Sequence, residues 1–287
     1  MKIQLIIILV SLIILFMLCG FIIYYFLKRK KINNYSGYSN DKISTLNYTK
    51  EGSIYPIKYN DENKMDIIFI NLKERRDRYK IFTDNYYNSD ISQNTNLLVL
   101  NAINTTNISL KDVKKMITAE AYKRYLFYLK TKTRSNHKEL TKGSLGCYLS
   151  HLEIYKYIVK KNKPCIVCED DIEFSSDSYK KIIDSINEVK LINKNNDDFI
   201  LLFNYICSKD RWKELNCVKI KKNIYKAYVF FSAACYYITP AIAQKILDVA
   251  IPISQQIDHF LGVCTQNNLF NILLSVILIN LDRKSVV

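Results

Sequence analysis

Short apolar runs rich in β-branched and aromatic residues recur along this chain, and stretches of helical period separate them. The runs are Asp66-Ile-Ile-Phe-Ile-Asn-Leu72, Leu97 to Leu100, Cys165 to Cys168, Phe199 to Phe203 and Tyr228 to Ile238. Between them, Val113, Ile117, Ala121 and Leu129 fall at helical spacing, as do Leu145, Leu149, Leu152 and Val159. Asp177 or a neighbouring Ser is placed to cap a helix carrying Ile182, Ile183, Ile186 and Val189. Thr239-Pro240 reads as a cap followed by Pro at the first helical position, ahead of Ile242, Ile246 and Leu247. This alternation predicts an α/β layer fold with a largely parallel sheet and antiparallel additions near the C-terminus. Ligands of such sheets sit beyond the carboxyl ends of the strands.

Two segments precede that pattern. Residues 3–27 are almost uncharged and mostly apolar, bounded by Lys2 and by Lys28-Arg29-Lys30-Lys31. The stretch is long enough to span a bilayer as a helix and lacks the small-residue cleavage site of a signal peptide, so residues 1–27 are expected to be an uncleaved single-pass anchor. The side of the membrane stays open. The basic cluster after the span places the bulk of the chain in the cytoplasm by the positive-inside rule. Sequons at Asn34, Asn47, Asn104 and Asn107 point to the lumen, but a chain this rich in Asn shows about three by chance. Residues 28–64 are polar and aperiodic and read as a stalk, leaving 65–287 as the main domain.

A formal charge of +15 invites a nucleic-acid partner. The basic residues are scattered, however, and Lys, Asn, Ile and Tyr are abundant together, the bias of an AT-rich coding sequence. No zinc-finger, helix-turn-helix or RNA-recognition signature is present, so no nucleic-acid partner is expected. Of the eight Cys, Cys147, Cys165, Cys168 and Cys235 lie in apolar runs, where Cys acts as a small hydrophobe. Cys165 and Cys168 are three apart on a strand, point to opposite faces and cannot pair. The three His, at 137, 151 and 259, show no His/Cys ligand spacing for a structural zinc.

The strongest chemical signal is an apolar strand running straight into Glu169-Asp170-Asp171. Three adjacent anions repel one another, and a hard divalent cation, Mn²⁺ or Mg²⁺, offsets them while bridging to substrate phosphates. Period-two geometry puts Glu169 and Asp171 on one side and Asp170 on the other, favouring Asp171 with Glu169 as the metal-facing pair. The competing reading is a solvated acidic turn.

Three segments in order carry a family resemblance: Ile67-Ile-Phe-Ile-Asn-Leu-Lys-Glu-Arg-Arg-Asp-Arg78, Gly143-Ser-Leu-Gly-Cys-Tyr-Leu-Ser-His151, and Glu169-Asp170-Asp171 after its strand. Tyr236-Tyr-Ile-Thr-Pro240 with Pro252-Ile-Ser-Gln-Gln-Ile-Asp-His-Phe260 forms a fourth. Together they resemble the family 25 glycosyltransferases, which include lipooligosaccharide-biosynthesis and collagen galactosyltransferases. The resemblance implies a GT-A-type, Rossmann-like nucleotide-sugar-binding domain, a UDP-sugar donor, often UDP-galactose, and a divalent cation. It also implies inversion at the anomeric carbon, for which a carboxylate takes the acceptor hydroxyl's proton. Asp258 is the candidate base, with sugar positioning or a helix N-cap as rival roles. Asn71, Arg78, Ser150 and His151 are donor-site candidates, each with a structural alternative: a strand-exit cap, a surface ion pair, or core packing.

The pattern has departures. Ser144 stands where the family usually has Glu, Asn101-Ala-Ile-Asn104 replaces a typical Asp-Gly ending, and 269–281 lacks the expected Pro and Gln. The sequence therefore supports a hexosyltransferase acting on a hydroxyl of a glycan, lipid-linked saccharide or protein. A silent, membrane-tethered binding module of the same fold is the alternative, and a basic membrane-surface or nucleic-acid binder is the third reading.

Overall fold

A strand buried on both faces alternates its side chains between two cores, and every central strand here does so. Ile68, Ile70, Leu98, Leu100, Cys165, Val167, Ile200, Leu202, Tyr236 and Ile238 enter one core. Ile67, Phe69, Leu97, Val99, Ile166, Cys168, Phe199, Leu201, Cys235 and Tyr237 enter the other. Cys165 and Cys168 thus part to opposite faces, as expected. The computed structural model describes residues 52–58, 61–193, 199–203, 217–229, 232–275 and 280–281.

In chain order, β1 (Ile54–Pro56) and β2 (Met65–Asn71) precede α1 (Arg76–Tyr87) and the short α2 (Ile91–Asn94). β3 (Thr95–Asn101) leads through a 3-10 turn at Thr105–Asn107 to α3 (Leu110–Met116), α4 (Ala119–Thr131) and α5 (Lys142–Lys161). Then come β4 (Cys165–Glu169), β5 (Ile172–Glu173), α6 (Ser178–Ile192) and β6 (Phe199–Leu202). β7 (Val218–Lys219), β8 (Ile224–Lys226) and β9 (Cys235–Ile238) precede α7 (Pro240–Leu247), α8 (Ile257–Gln266), β10 (Asn271–Ser275) and β11 (Asn280–Leu281).

The main sheet runs β1-β3-β2-β4-β9-β6-β10-β8-β7, and β11 pairs with β5 separately. β2 is parallel to β3 and β4, and β6 to β10. β9 runs antiparallel between β4 and β6, and the strands at both edges are antiparallel too. The sheet is therefore mixed rather than largely parallel, with a reversed strand near its centre. An apolar run buried on both faces looks the same in either direction, so composition does not reveal its sense.

Three further expectations shift. The domain starts before residue 65, because Ile54–Pro56 pairs with Leu98–Leu100 and belongs to the sheet, not to a stalk. The helical spacing from Val113 to Leu129 spans two helices. Ile117 is extended, and Thr118 caps α4 by accepting from the Ala121 amide. Asp177 makes no capping hydrogen bond; the α6 terminus is capped instead by Asp90, which accepts from the Tyr179 amide at 3.0 Å. Thr239-Pro240 opens α7 as expected, Thr239 accepting from the Ile242 amide. The expected anchor at 1–27 and most of the expected stalk lie outside the described residues. Among the described residues, no helix is long and apolar enough to cross a membrane.

Candidate active site

β2, β3 and β4 run in one direction, so their carboxyl ends deliver Asn71, the Asn101–Thr106 segment and Glu169-Asp170-Asp171 to the same edge of the sheet. A cleft of about 330 Å³ opens there, within the range of small-ligand pockets. Its lining carries both charges, Arg75, Arg78 and Lys142 with Glu169 and Asp170, and Arg75 is paired with Asp77 and Arg78 with Asp170. The first turn of α5 contributes Lys142 and Gly143, bringing the positive end of a long helix to the same space.

α5 reaches the cleft because of two small residues. At Gly146 an added Cβ would collide with the Ile103 carbonyl oxygen, so the helix crosses the chain leaving β3 at a separation that glycine alone permits. Ser150, one turn on, fastens that crossing: its hydroxyl donates to the Gly146 carbonyl and accepts the Ile103 amide at 2.9 Å. Ser150 lines the cleft, but its hydrogen bonds serve the scaffold. Ser144, the departure from the family's Glu, completes a capping box with Thr141, each side chain accepting the other's backbone amide.

Two of the donor-site candidates grip the acidic cluster. Arg78 Nη1 donates to Asp170 Oδ1 at 2.8 Å, and Asn71 Nδ2 donates to Asp170 Oδ2 at 2.8 Å and to the Arg75 carbonyl at 3.2 Å. Asp170 is thereby fixed and compensated. The strand ends at Glu169, so period-two alternation does not extend through the cluster, and Glu169 and Asp170 line the cleft together. That corrects the expectation that Asp170 faces away. Burial, with Glu169 and Asp170 adding like charge, raises the Asp171 carboxyl to about pKa 6. Asp171 is not among the lining residues, so of the expected metal-facing pair only Glu169 reaches the cleft, beside Asp170.

His151 is fully buried. Its Nδ1 shares a 2.7 Å hydrogen bond with the Tyr236 hydroxyl, which meets Tyr155 at 2.9 Å. Its Nε2 makes no hydrogen bond among the described residues and faces Glu169 Oε1 at 3.8 Å. Cys147 Sγ stands 3.7 Å from the same oxygen. Asp258 lies in the first turn of α8, whose N-cap is Gln256, so the N-cap reading fails. Its Oδ2 accepts the Ser232 amide at 3.2 Å, and its Oδ1 accepts the His259 amide at 2.8 Å. Ser232 holds that amide from a left-handed conformation (φ 75°), a strain of about 1 kcal/mol or more, and neither it nor Asp258 is among the residues lining the cleft. Asp258 is near enough to Cys147 that, after burial and Glu169, it is the next influence holding the thiol protonated.

Residues 65–261 match the family described as glycosyltransferase family 25 (LPS biosynthesis protein). The chain belongs to glycosyltransferase family 25. Procollagen galactosyltransferase 2 from Homo sapiens is 28% identical over 144 residues, covering 48% of this chain and 21% of that protein. The Mus musculus protein of the same name is 26% identical over 139 residues, covering 48% and 20%. The family 25 chain thus aligns with about a fifth of the length of these relatives. Among solved structures, UDP-glucose pyrophosphorylase complexed with UDP-glucose superposes with a TM-score of 0.41 at 12% identity, over 74% of this chain and 90% of that one. Its apo form gives 0.32 at 13% identity, over 50% and 54%. The family match spans all the candidates above. Sequence reasoning overlooked Arg75, Lys142 and Cys147; all three lie inside motifs already singled out or directly beside them, which was the available signal.

Proposed function

We propose that this family 25 chain is a glycosyltransferase with a GT-A-type domain. It moves a hexose, galactose first among the candidates, from a UDP-sugar to a hydroxyl of a glycan, lipid-linked saccharide or protein. The observation that carries the reading is the cleft at the ends of β2, β3 and β4, lined by arginines, a lysine and carboxylates together. Arg75, Arg78, Lys142 and the α5 terminus suit a diphosphate, and the carboxylates beside them suit the cation that a diphosphate brings. The names of the galactosyltransferase relatives favour galactose. Bound Mn²⁺ or Mg²⁺ would supply stabilisation of the charge that builds on the departing diphosphate.

The protein's own groups have distinct parts in this scheme. Arg78 and Asn71 fix Asp170, so the acidic cluster keeps its shape whether or not donor is bound. Ser150 and Gly146 hold the cleft wall against α5. Asp258, oriented by the Ser232 and His259 amides, is the candidate acceptor of the incoming hydroxyl's proton, which sets transfer with inversion. We further propose that residues 1–27 tether the chain to a membrane by a single pass.

The test is the full chain incubated with a panel of UDP-sugars and with simple saccharide acceptors or water, with Mn²⁺ or with chelator. Sugar transfer or UDP release that needs the metal and falls at least about 100-fold in Asp258→Asn is expected. No turnover of any donor by a folded protein would replace this reading with that of a silent binding module.

A further inference from the structure

Cys147 and His151 are four apart on α5 and therefore share one face, which looks onto the end of β4. Cys147 Sγ, a His151 ring nitrogen and a Glu169 carboxylate oxygen all lie within 4.8 Å of one another. Two of those separations are 3.7 Å and 3.8 Å, close to the roughly 3.3–3.8 Å edge of a tetrahedron built with ordinary zinc bond lengths. His151 adds an independent sign. It is fully buried, yet its Nε2 makes no hydrogen bond among the described residues and is aimed at Glu169. Its other nitrogen is held by Tyr236, itself braced by Tyr155. Metal-binding histidines are oriented through the far nitrogen in the same way.

We propose that Cys147, His151 and Glu169 bind one thiophilic divalent transition-metal ion of the Zn²⁺ class, with the remaining coordination position open to the cleft. The ligand set of one thiol, one imidazole and one carboxylate suits zinc or cobalt, not the hard ions expected with a diphosphate. Binding forms a metal–sulfur bond and releases the Cys147 proton to solvent. Cys147 and Glu169 both line the cleft, so the ion has a route in. The site needs no nucleotide, and it shares Glu169 with the carboxylates proposed above for the hard ion.

The probe is Co²⁺ alone, titrated into the full chain without nucleotide. A near-ultraviolet thiolate-to-cobalt charge-transfer band saturating at about one Co²⁺ per chain is expected, bleached by Zn²⁺. Cys147→Ser abolishes the band and His151→Gln weakens binding about 10- to 100-fold, whereas Cys217→Ser leaves it intact. Thermal melts confirm that each variant is folded, and Glu169→Gln gives a separate loss of affinity should Cys147→Ser prove unstable. Asp171→Asn distinguishes the two sites, because it keeps the cobalt band while losing Mn²⁺-dependent UDP binding. No band in the wild-type chain, or one that survives Cys147→Ser, overturns the proposal.

Discussion

Arg78 Nη1 sits 2.8 Å from Asp170 Oδ1 in a pair whose side chains keep only 23% and 11% of their exposure. One of three adjacent anions is thus already balanced by the protein. Glu169 adds like charge beside Asp171, as Asp170 does. Arg78 also lowers the Asp171 pKa, partly countering the two acidic neighbours.

Arg78→Ala is expected to leave Asp170 half-held by Asn71 and beside two further carboxylates. The pair lies between the exposed and fully buried extremes, so the cost is about 1–2 kcal/mol, read from a urea midpoint. The same variant should raise the Asp171 pKa further. Arg78→Lys recovers part of the stability because only one guanidinium nitrogen makes the contact.

Asp171 gives the pH dependence. Its folded pKa of about 6 lies above the ordinary 3.8, so folding favours its protonated form. That contribution is complete below about pH 3.8 and is lost as the pH rises through 6. At pH 7.5 the metal-free protein carries an unfavourable anion, and Asp171→Asn should be more stable than wild type by about 1–2 kcal/mol after allowing for solvent screening. Paired denaturation curves from pH 4 to pH 8 check this, and the difference should vanish at the acid end.

Several residues at this sheet edge stand out in the sequence, and the contacts that do not have physical causes. The strand leading to Glu169 announced itself because an apolar run stops abruptly at charge. Asn71 and the acids come together because β2 and β4 are parallel neighbours, and Arg78 reaches them from the helix that follows β2. The direct hydrogen bonds from Asn71 and Arg78 to Asp170 were not readable, since they cross 99 and 92 residues of sequence. Cys147 looked like a core residue because its neighbours are apolar. Its four-residue spacing to His151 falls outside the structural-zinc patterns, and the third member of the group comes from β4, 22 residues past Cys147. The break at Ile117-Thr118 hid behind a helical period that happens to continue across it. Tertiary contact enforces that break: the Thr118 amide donates to the Ile253 carbonyl, and the Ile253 amide to the Met116 carbonyl.

Gly143 and Gly146 look equivalent in the motif and should behave oppositely. Gly146→Ala drives a Cβ into the Ile103 carbonyl, and the backbone must move, at about 1–3 kcal/mol. At Gly143 the nearest atom is the Thr141 hydroxyl at 3.9 Å, so alanine fits and gains up to about 1 kcal/mol of helix propensity. Thermal denaturation of the two single variants separates them by sign.

Ser144 is a departure from the family that the structure explains. Ser144→Ala removes the side chain that accepts the Thr141 amide and should cost about 0.5–1 kcal/mol. Ser144→Glu, which restores the family residue, keeps that acceptor through a longer side chain and should leave stability unchanged or slightly raised. Urea midpoints of the two variants measure the contrast.

The central claim is that the carboxylates around Asp171 need a divalent cation to accept a nucleoside diphosphate beside the arginines. Calorimetric titration of UDP into the full chain tests it most directly. The expected result is binding with Mn²⁺, weakened at least about tenfold by chelator and by Asp171→Asn. Equal UDP affinity with and without the metal, unchanged in Asp171→Asn, would contradict it.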